Sequence, residues 1–484
     1  MKKCCANILF TGSIKHQLNF PRRCIDRLLN HPFFFRAKTS NCECSNFTKK
    51  NIIFSIFERV EYATFLRRFR GQTRTVSRRV MISIKTQHFR FNRILLLLIG
   101  LWPYERTRLV QFQITLFFGV VISSVIYQFA PLVFIKCTPD LVIDVLSIAL
   151  FSGTFAISYQ VFWIKVHAMK SLMDELQHIC NDLKDKNEIA IITKYGNIAK
   201  RLTAIITLFH VGNISTISLL TVSLYLLDAV LLVEKSELRR IFQRAIPKFF
   251  IGREKYTYSV FLYYLGAACI GGTVLLGTGM MIVTYCKHAC GIFRIARNDP
   301  VAGYRIEKAM MVNMENISLE NEIIIRKEII LAVDIHRKAV QFSTLLFSTF
   351  NGLIFFLIII NVICLSFNLY RISETMSRED DIEQCCIHFV ITFAIFAFLF
   401  IANYTGQEIT DYNNHVFFTA YNGRWYVTPV HVQRLILFLL QNGSKTFRVS
   451  FGGVLSLSIE LFATLTKASL SYFTVVYSIY ATVM

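Results

Sequence analysis

Seven long stretches of this chain carry almost no Asp, Glu, Lys or Arg, and that distribution of charge constrains the fold more than any other feature. They run over residues 109–135, 145–164, 202–227, 256–286, 339–370, 384–407 and 461–484, the last interrupted only by Lys467. About 20 apolar residues of helix cross a hydrocarbon core of about 30 Å, so each stretch is long enough to span. Lipid offers the backbone no hydrogen bonds, which leaves helices or a closed barrel as the spanning structures. Runs of this length predict an all-α, polytopic membrane protein with seven transmembrane helices. The fifth stretch, with 32 uncharged residues, would be about 48 Å long as a helix and must tilt or project beyond the bilayer.

Composition supports this and removes an alternative. The chain of 484 residues is 54% apolar and 17% charged, with a formal charge of +22. Such a charge suggests a polyanion partner, but a water-soluble nucleic-acid binder would carry more charged surface. Basic residues that coexist with so much apolar sequence must be segregated from it. Alternate connecting segments hold 42 and 10 Lys and Arg residues, a bias that places the N-terminus in the cytoplasm. Seven crossings then put the C-terminus outside, the reverse of a G-protein-coupled receptor. That family's Asp-Arg-Tyr and Asn-Pro-x-x-Tyr motifs are also missing.

Residues 1–80 stand apart as a basic extension with a net charge of +13. Its run from Arg67 to Arg79, with Phe65 and Phe69, reads as a nucleic-acid patch or, more mildly, as an anchor for anionic membrane lipids. Met81 is a candidate start, which would make residues 1–80 an upstream extension and 81–484 the seven-helix domain. Between Ala309 and Val340, and again from His431 to Leu440, apolar residues recur at helical spacing. These segments are read as extensions of the fourth, fifth and seventh helices packing below the membrane.

Little in the chain suggests catalysis, a metal or a cofactor. Gly272 and Gly277 imitate the start of a phosphate loop, but Thr278 and Gly279 occupy the places where Lys and Ser or Thr are needed. Close helix packing explains these glycines instead. The histidines show no ligand spacing, and no serine sits in a nucleophile elbow; His210 and His388 lie within spans. The thirteen cysteines form no metal-type pairs. The residue packing explains least is Lys467, because an ionisable group in a membrane helix costs about 3 kcal/mol. Lys467, Ser471, Val475 and Ile479 recur every four residues and form one stripe. Such a stripe can line a pore whose branched side chains gate by dewetting.

The C-terminal quarter resembles the insect odorant receptor family. The resemblance rests on Tyr421, Trp425 and Tyr426, the helix Leu435–Leu440, Gly452-Gly453, Leu455-Ser456-Leu457, and Phe462 through Ser471-Tyr472-Phe473. Gly100-Leu101-Trp102-Pro103 and Gly406-Gln407-Glu408 also look like that family, so the likeness covers about residues 85–484. It implies a subunit that assembles with a shared co-receptor as a hetero-tetramer, forming an odorant-gated, nonselective cation channel in the plasma membrane of olfactory sensory neurons. It maps the hydrophobic gate to Val475 and Ile479 and a polar pore position to Ser478. Lys467 and Ser478 depart from the co-receptor pattern, which points to a ligand-tuning subunit. The pattern Lys467-Ala468-Ser469-Leu470-Ser471-Tyr472-Phe473 is unlike that of the taste branch. Small hydrophobic odorants are the expected ligands, with Tyr159, Phe162, His210, Tyr263, Tyr264 and Phe350 as candidate contacts. The alternatives are a gustatory receptor and a metabotropic receptor signalling through a G protein; a transporter would need internal repeats that are not found.

Overall fold

All seven uncharged stretches are helical wherever the structure describes them. It is a computed structural model that describes residues 87–134, 136–231, 257–296, 319–376, 382–422, 425–427, 430–443, 450–451 and 455–483. The N-terminal extension, its basic run and Met81 lie outside the described residues, as does the segment 309–318. Ten helices are described: α1 (Arg90–Leu98), α2 (Arg108–Phe134), α3 (Pro139–Ile164), α4 (Val166–Asp182), α5 (Lys186–Leu231), α6 (Thr257–Ala296), α7 (Leu319–Met376), α8 (Ile382–Asn422), α9 (Val430–Gly443) and α10 (Ile459–Val483). By length and composition, five of them are able to cross a membrane: α2, α3, α6, α7 and α8. The third and seventh stretches fall in α5 and α10.

Local chemistry sets several helix ends. Thr138 caps α3 by accepting from the Leu141 amide, with Pro139 in the first turn and Asp140 facing the positive end of the helix dipole. Ser458 does the same for α10, accepting from the Leu461 amide at 3.0 Å. Gly100, at φ +74°, ends the turn after α1 in a conformation that suits glycine.

The long helices outrun any bilayer. At 1.5 Å per residue the 58 residues of α7 span about 87 Å, almost three hydrocarbon thicknesses. The segment expected to extend the fifth stretch is continuous with it from Leu319 onward. The segment His431–Leu440 departs from expectation. It belongs to α9, a separate helix, because Gly443 ends it and a hairpin pairing Ser450 with Ser456 and Phe451 with Leu455 redirects the chain before α10 begins. That hairpin is also a small exception to an all-α fold. Two further helices, α1 and α4, are amphipathic and contain charge, so a search for uncharged stretches passes over them. In α4, Met169, Leu172, Met173, Leu176 and Ile179 recur at helical spacing and are all buried.

The main core runs from α4 through α6 and α7 to α8. Where the helices leave the apolar stretches, polar contacts knit them together. Lys287 of α6 pairs with Glu408 of α8, and His336 of α7 bonds to the Asn413 side chain of α8 at 3.0 Å. Tyr195 of α5 bonds to Tyr412 of α8 and accepts from Arg294 of α6 at 3.0 Å.

Candidate functional site

α10 presents two unlike faces. Leu465 and Ser469 are buried, and the Ser469 hydroxyl lies 3.4 Å from the Val362 carbonyl oxygen of α7 and 2.9 Å from the Leu465 carbonyl oxygen. Phe462, one turn earlier, packs edge-on against Phe396 and Phe400 of α8. On the other side Lys467, Ser471, Val475 and Ser478 fall within an arc of about 80°, with Ile479 at its edge. All five are exposed, Val475 at 52% and Ile479 at 58%. The structure thus brings the sequence-derived stripe and Ser478 onto one surface, with Tyr472 and Tyr477 exposed beside it.

The six candidate ligand residues fall into two groups. Tyr159 and Phe162 of α3 and Phe350 of α7 are at most 1% exposed. The Phe162 ring stacks on Phe350 with centroids 5.0 Å apart, and the Tyr159 hydroxyl donates to the Ile99 carbonyl at 2.7 Å. Their polar capacity is already used within the protein. The second group lies on α5 and α6. Tyr263 shares a 2.6 Å hydrogen bond with Ser123 of α2, and its ring sits edge-on to Tyr264, 5.5 Å away. Among the described residues the Tyr264 hydroxyl is buried without a hydrogen-bond partner, and so is the Nε2 atom of His210. His210 rests on Gly272: a Cβ there would lie 2.5 Å from the His210 Cε1 atom. The neighbouring Gly271 similarly admits the Phe155 ring of α3. Those glycines serve close approach, as helix packing requires.

An aromatic-led reading also missed a polar contact between α2 and α3. The Gln128 amide of α2 donates to the Ser152 hydroxyl of α3 at 3.1 Å, and its Oε1 atom is buried and unpaired. The available signal was a glutamine and a serine inside an otherwise apolar stretch, since a buried polar atom without a partner is costly.

A second polar cluster joins α3, α7 and α8. Arg371 of α7 is 5% exposed and reaches Asp144 of α3 at 3.1 Å, Glu374 at 2.5 Å and the Gln384 side chain of α8 at 3.2 Å. One turn away, Asn368 donates to the Ser147 carbonyl at 2.9 Å and contacts the His388 ring at 3.0 Å. His388 is therefore a packing residue of this cluster. Ahead of the first stretch, His88 lies 3.1 Å from the His288 ring of α6. Burial, and then the Lys200 charge, hold the His88 imidazole below its ordinary pKa of 6.5.

Comparison with known proteins places this geometry. The chain superposes on the insect olfactory receptor OR5 from Machilis hrabei with a TM-score of 0.57 at 11% identity, over 81% of this chain and 98% of that one. The same receptor in complex with eugenol gives a TM-score of 0.57 at 12% identity, over 82% and 98%. At such identity the likeness concerns the fold. Odorant receptor 10 from Aedes albopictus is 28% identical over 92 residues, which is 19% of this chain and about a quarter, 24%, of that protein. The family description 7tm Odorant receptor matches residues 138–470, well over half of the chain, and the chain belongs to that family of multi-pass membrane receptors.

Proposed function

We propose that this chain is a ligand-tuning odorant receptor subunit that gates a nonselective cation channel together with a co-receptor in a hetero-tetramer. The observation that carries the reading is the exposed face of α10. A helix in lipid gains nothing by grouping Lys467, Ser471 and Ser478 on one side, whereas a helix bordering a water-filled path does. Val475 and Ile479 are the branched apolar side chains in that path, and their closure would dewet it. The absence of the co-receptor's residues at Lys467 and Ser478 favours the tuning role.

Seven spans, with the N-terminus in the cytoplasm and the C-terminus outside, follow from the uncharged stretches and the bias in basic residues. The odorant site we infer lies around Tyr263, Tyr264 and His210, close to Ser123, where buried polar atoms lack protein partners. Tyr159, Phe162 and Phe350 support it as packing. An apolar enclosure with a few polar atoms suits small, weakly polar odorants, since affinity there comes mainly from area removed from water. The eugenol held by the Machilis receptor is a ligand of that kind. Transmission to the pore has a physical route. α7 is one continuous helix that carries Phe350 and Arg371 and contacts Ser469 of α10 through Val362.

Coexpression with the co-receptor in a cell line, followed by a panel of hydrocarbons, esters, alcohols and acids, tests the reading. Odorant-evoked cation current that requires both chains supports it. Current or second-messenger responses that require a G protein support the metabotropic alternative. An epitope placed after Met484 separates the two independently: it is labelled on intact cells only if the C-terminus is outside.

A further inference from the structure

The cytoplasmic half of α5 has one face buried in the protein and one face that is basic and open. Glu188, Ile191, Ile192, Tyr195 and Ala199 are buried. Lys186, Ala190, Lys194, Asn197 and Arg201 fall within an arc of about 80° on the opposite side and are exposed. Together with Ile189, Thr193 and Ile198 they line a groove of about 530 Å³. Among the described residues, none of its three cations forms an ion pair, and no carboxylate lines it.

The position of the groove along the helix selects its occupant. The uncharged third stretch begins at residue 202, so Arg201 stands at the inner boundary of the hydrocarbon core. Lys194 is seven residues below, about 10 Å further into the cytosol at 1.5 Å per residue. The headgroup zone of one leaflet is only about 5–8 Å deep. A simple anionic lipid at this site meets Arg201, and Lys194 joins it only by stretching its stem towards the membrane. A headgroup that engages both cations without that cost carries a second anionic group beyond its phosphodiester. A phosphorylated inositol ring does so, and the Asn197 amide lies between the cations to meet its hydroxyls. Ile198 offers an apolar surface at the same level. Lys186, about 12 Å further down, adds long-range attraction without contact.

We propose that this groove binds the headgroup of a polyphosphorylated inositol lipid of the inner leaflet. The site is separate from the odorant region and gives the receptor a handle on membrane composition. It rests on the cytoplasmic orientation of α5 and not on the identity of any odorant.

The test uses the purified full-length chain in detergent and fluorescent short-chain phosphatidylinositol bisphosphate, with short-chain phosphatidylserine and soluble inositol trisphosphate as comparators. The bisphosphate lipid is expected to bind more tightly than either. Lys194→Gln/Arg201→Gln should weaken it about 30-fold, from about a fivefold step per basic residue. Lys165→Gln/Lys184→Gln, which removes basic charge on the same side of the membrane, should leave it within about twofold. Equal binding of phosphatidylserine would overturn the inositol headgroup, and equal binding of soluble inositol trisphosphate would overturn a lipid as the source. Unchanged affinity in Lys194→Gln/Arg201→Gln would overturn the groove as the site. Both side chains are exposed, so the variant should fold; if it does not remain monodisperse, Lys194→Gln alone should still weaken binding about fivefold.

Discussion

Arg371 is a position where a single substitution should destabilise this receptor strongly. Its side chain is 7% exposed and holds Asp144 of α3, at 22%, and Glu374, at 14%, as well as Gln384 of α8. Arg371→Met keeps much of the apolar stem but strands two partly buried carboxylates. Removing one side of a buried ion pair typically costs about 3–5 kcal/mol, because the remaining charge is uncompensated. A chain of this size shifts its unfolding midpoint by about 1–2 °C per kcal/mol, extending the size scaling of smaller domains. The expected fall is therefore about 3–10 °C, read by thermal unfolding of the detergent-purified protein, with a parallel loss of surface expression. Arg371→Lys should fall between, since an ammonium cannot reach three partners as the guanidinium fork does. The triple variant Arg371→Met/Asp144→Asn/Glu374→Gln should recover most of the loss, because no charge is then left buried. A single variant that unfolds within about 1 °C of the parent would refute the reasoning. So would a triple variant that is no better than Arg371→Met.

Three other expectations follow from particular atoms. Tyr264→Phe removes a hydroxyl that has no protein partner, so folding should be unchanged while the half-maximal concentration of oxygen-bearing odorants rises about 2- to 12-fold, the worth of one hydrogen bond; hydrocarbon responses should not move, and an equal shift for both classes would count against the site. Val475→Ala, coexpressed with the co-receptor, should raise leak current or change ion selectivity at little cost to folding, since the side chain is 52% exposed; unchanged leak, selectivity and gating would remove it from the gate. His88 has a folded pKa held below 6.5 by burial and then by Lys200, so its neutral form is favoured in the fold. Its contribution is complete above about pH 6.5 and is lost as the pH falls through the folded value, because the unfolded chain takes up the proton first. Thermal stability should drop as the pH is lowered below about 6.5, and less so in His88→Asn; an equal drop in both would assign the dependence elsewhere.

The helical, multi-pass character of the chain was legible because it rests on one large term. A hydrocarbon core excludes charge over about 20 residues of helix, and a free energy summed over that length survives any local irregularity. The helices that sequence reading missed are those governed by smaller, mixed terms. α4 carries Lys170, Asp174 and Glu175 on one side and seven buried apolar residues on the other, so neither its charge nor its hydropathy is extreme. α9 was legible as a helix, but its separation from α10 was not. The separating hairpin has strands of two residues each, too short for any alternation to register.

The two halves of the candidate site differ for a related reason. On α10 the informative residue is an exception to its surroundings: a lysine in an otherwise uncharged stretch stands out, and helical periodicity alone collects Lys467, Ser471 and Val475 on one face. Among the aromatic candidates there is no exception to detect. Phe162 stacked on Phe350 and Tyr264 beside Tyr263 look alike in a sequence with 44 phenylalanines and 20 tyrosines. What separates them is whether each polar atom has a partner. Tyr159 donates to the Ile99 carbonyl, 60 residues away in sequence, whereas the Tyr264 hydroxyl finds nothing. That distinction depends on contacts between distant segments, and it also carries the functional weight. A satisfied tyrosine holds helices together, but an unsatisfied one in an apolar setting keeps a desolvation cost that a ligand's oxygen can relieve.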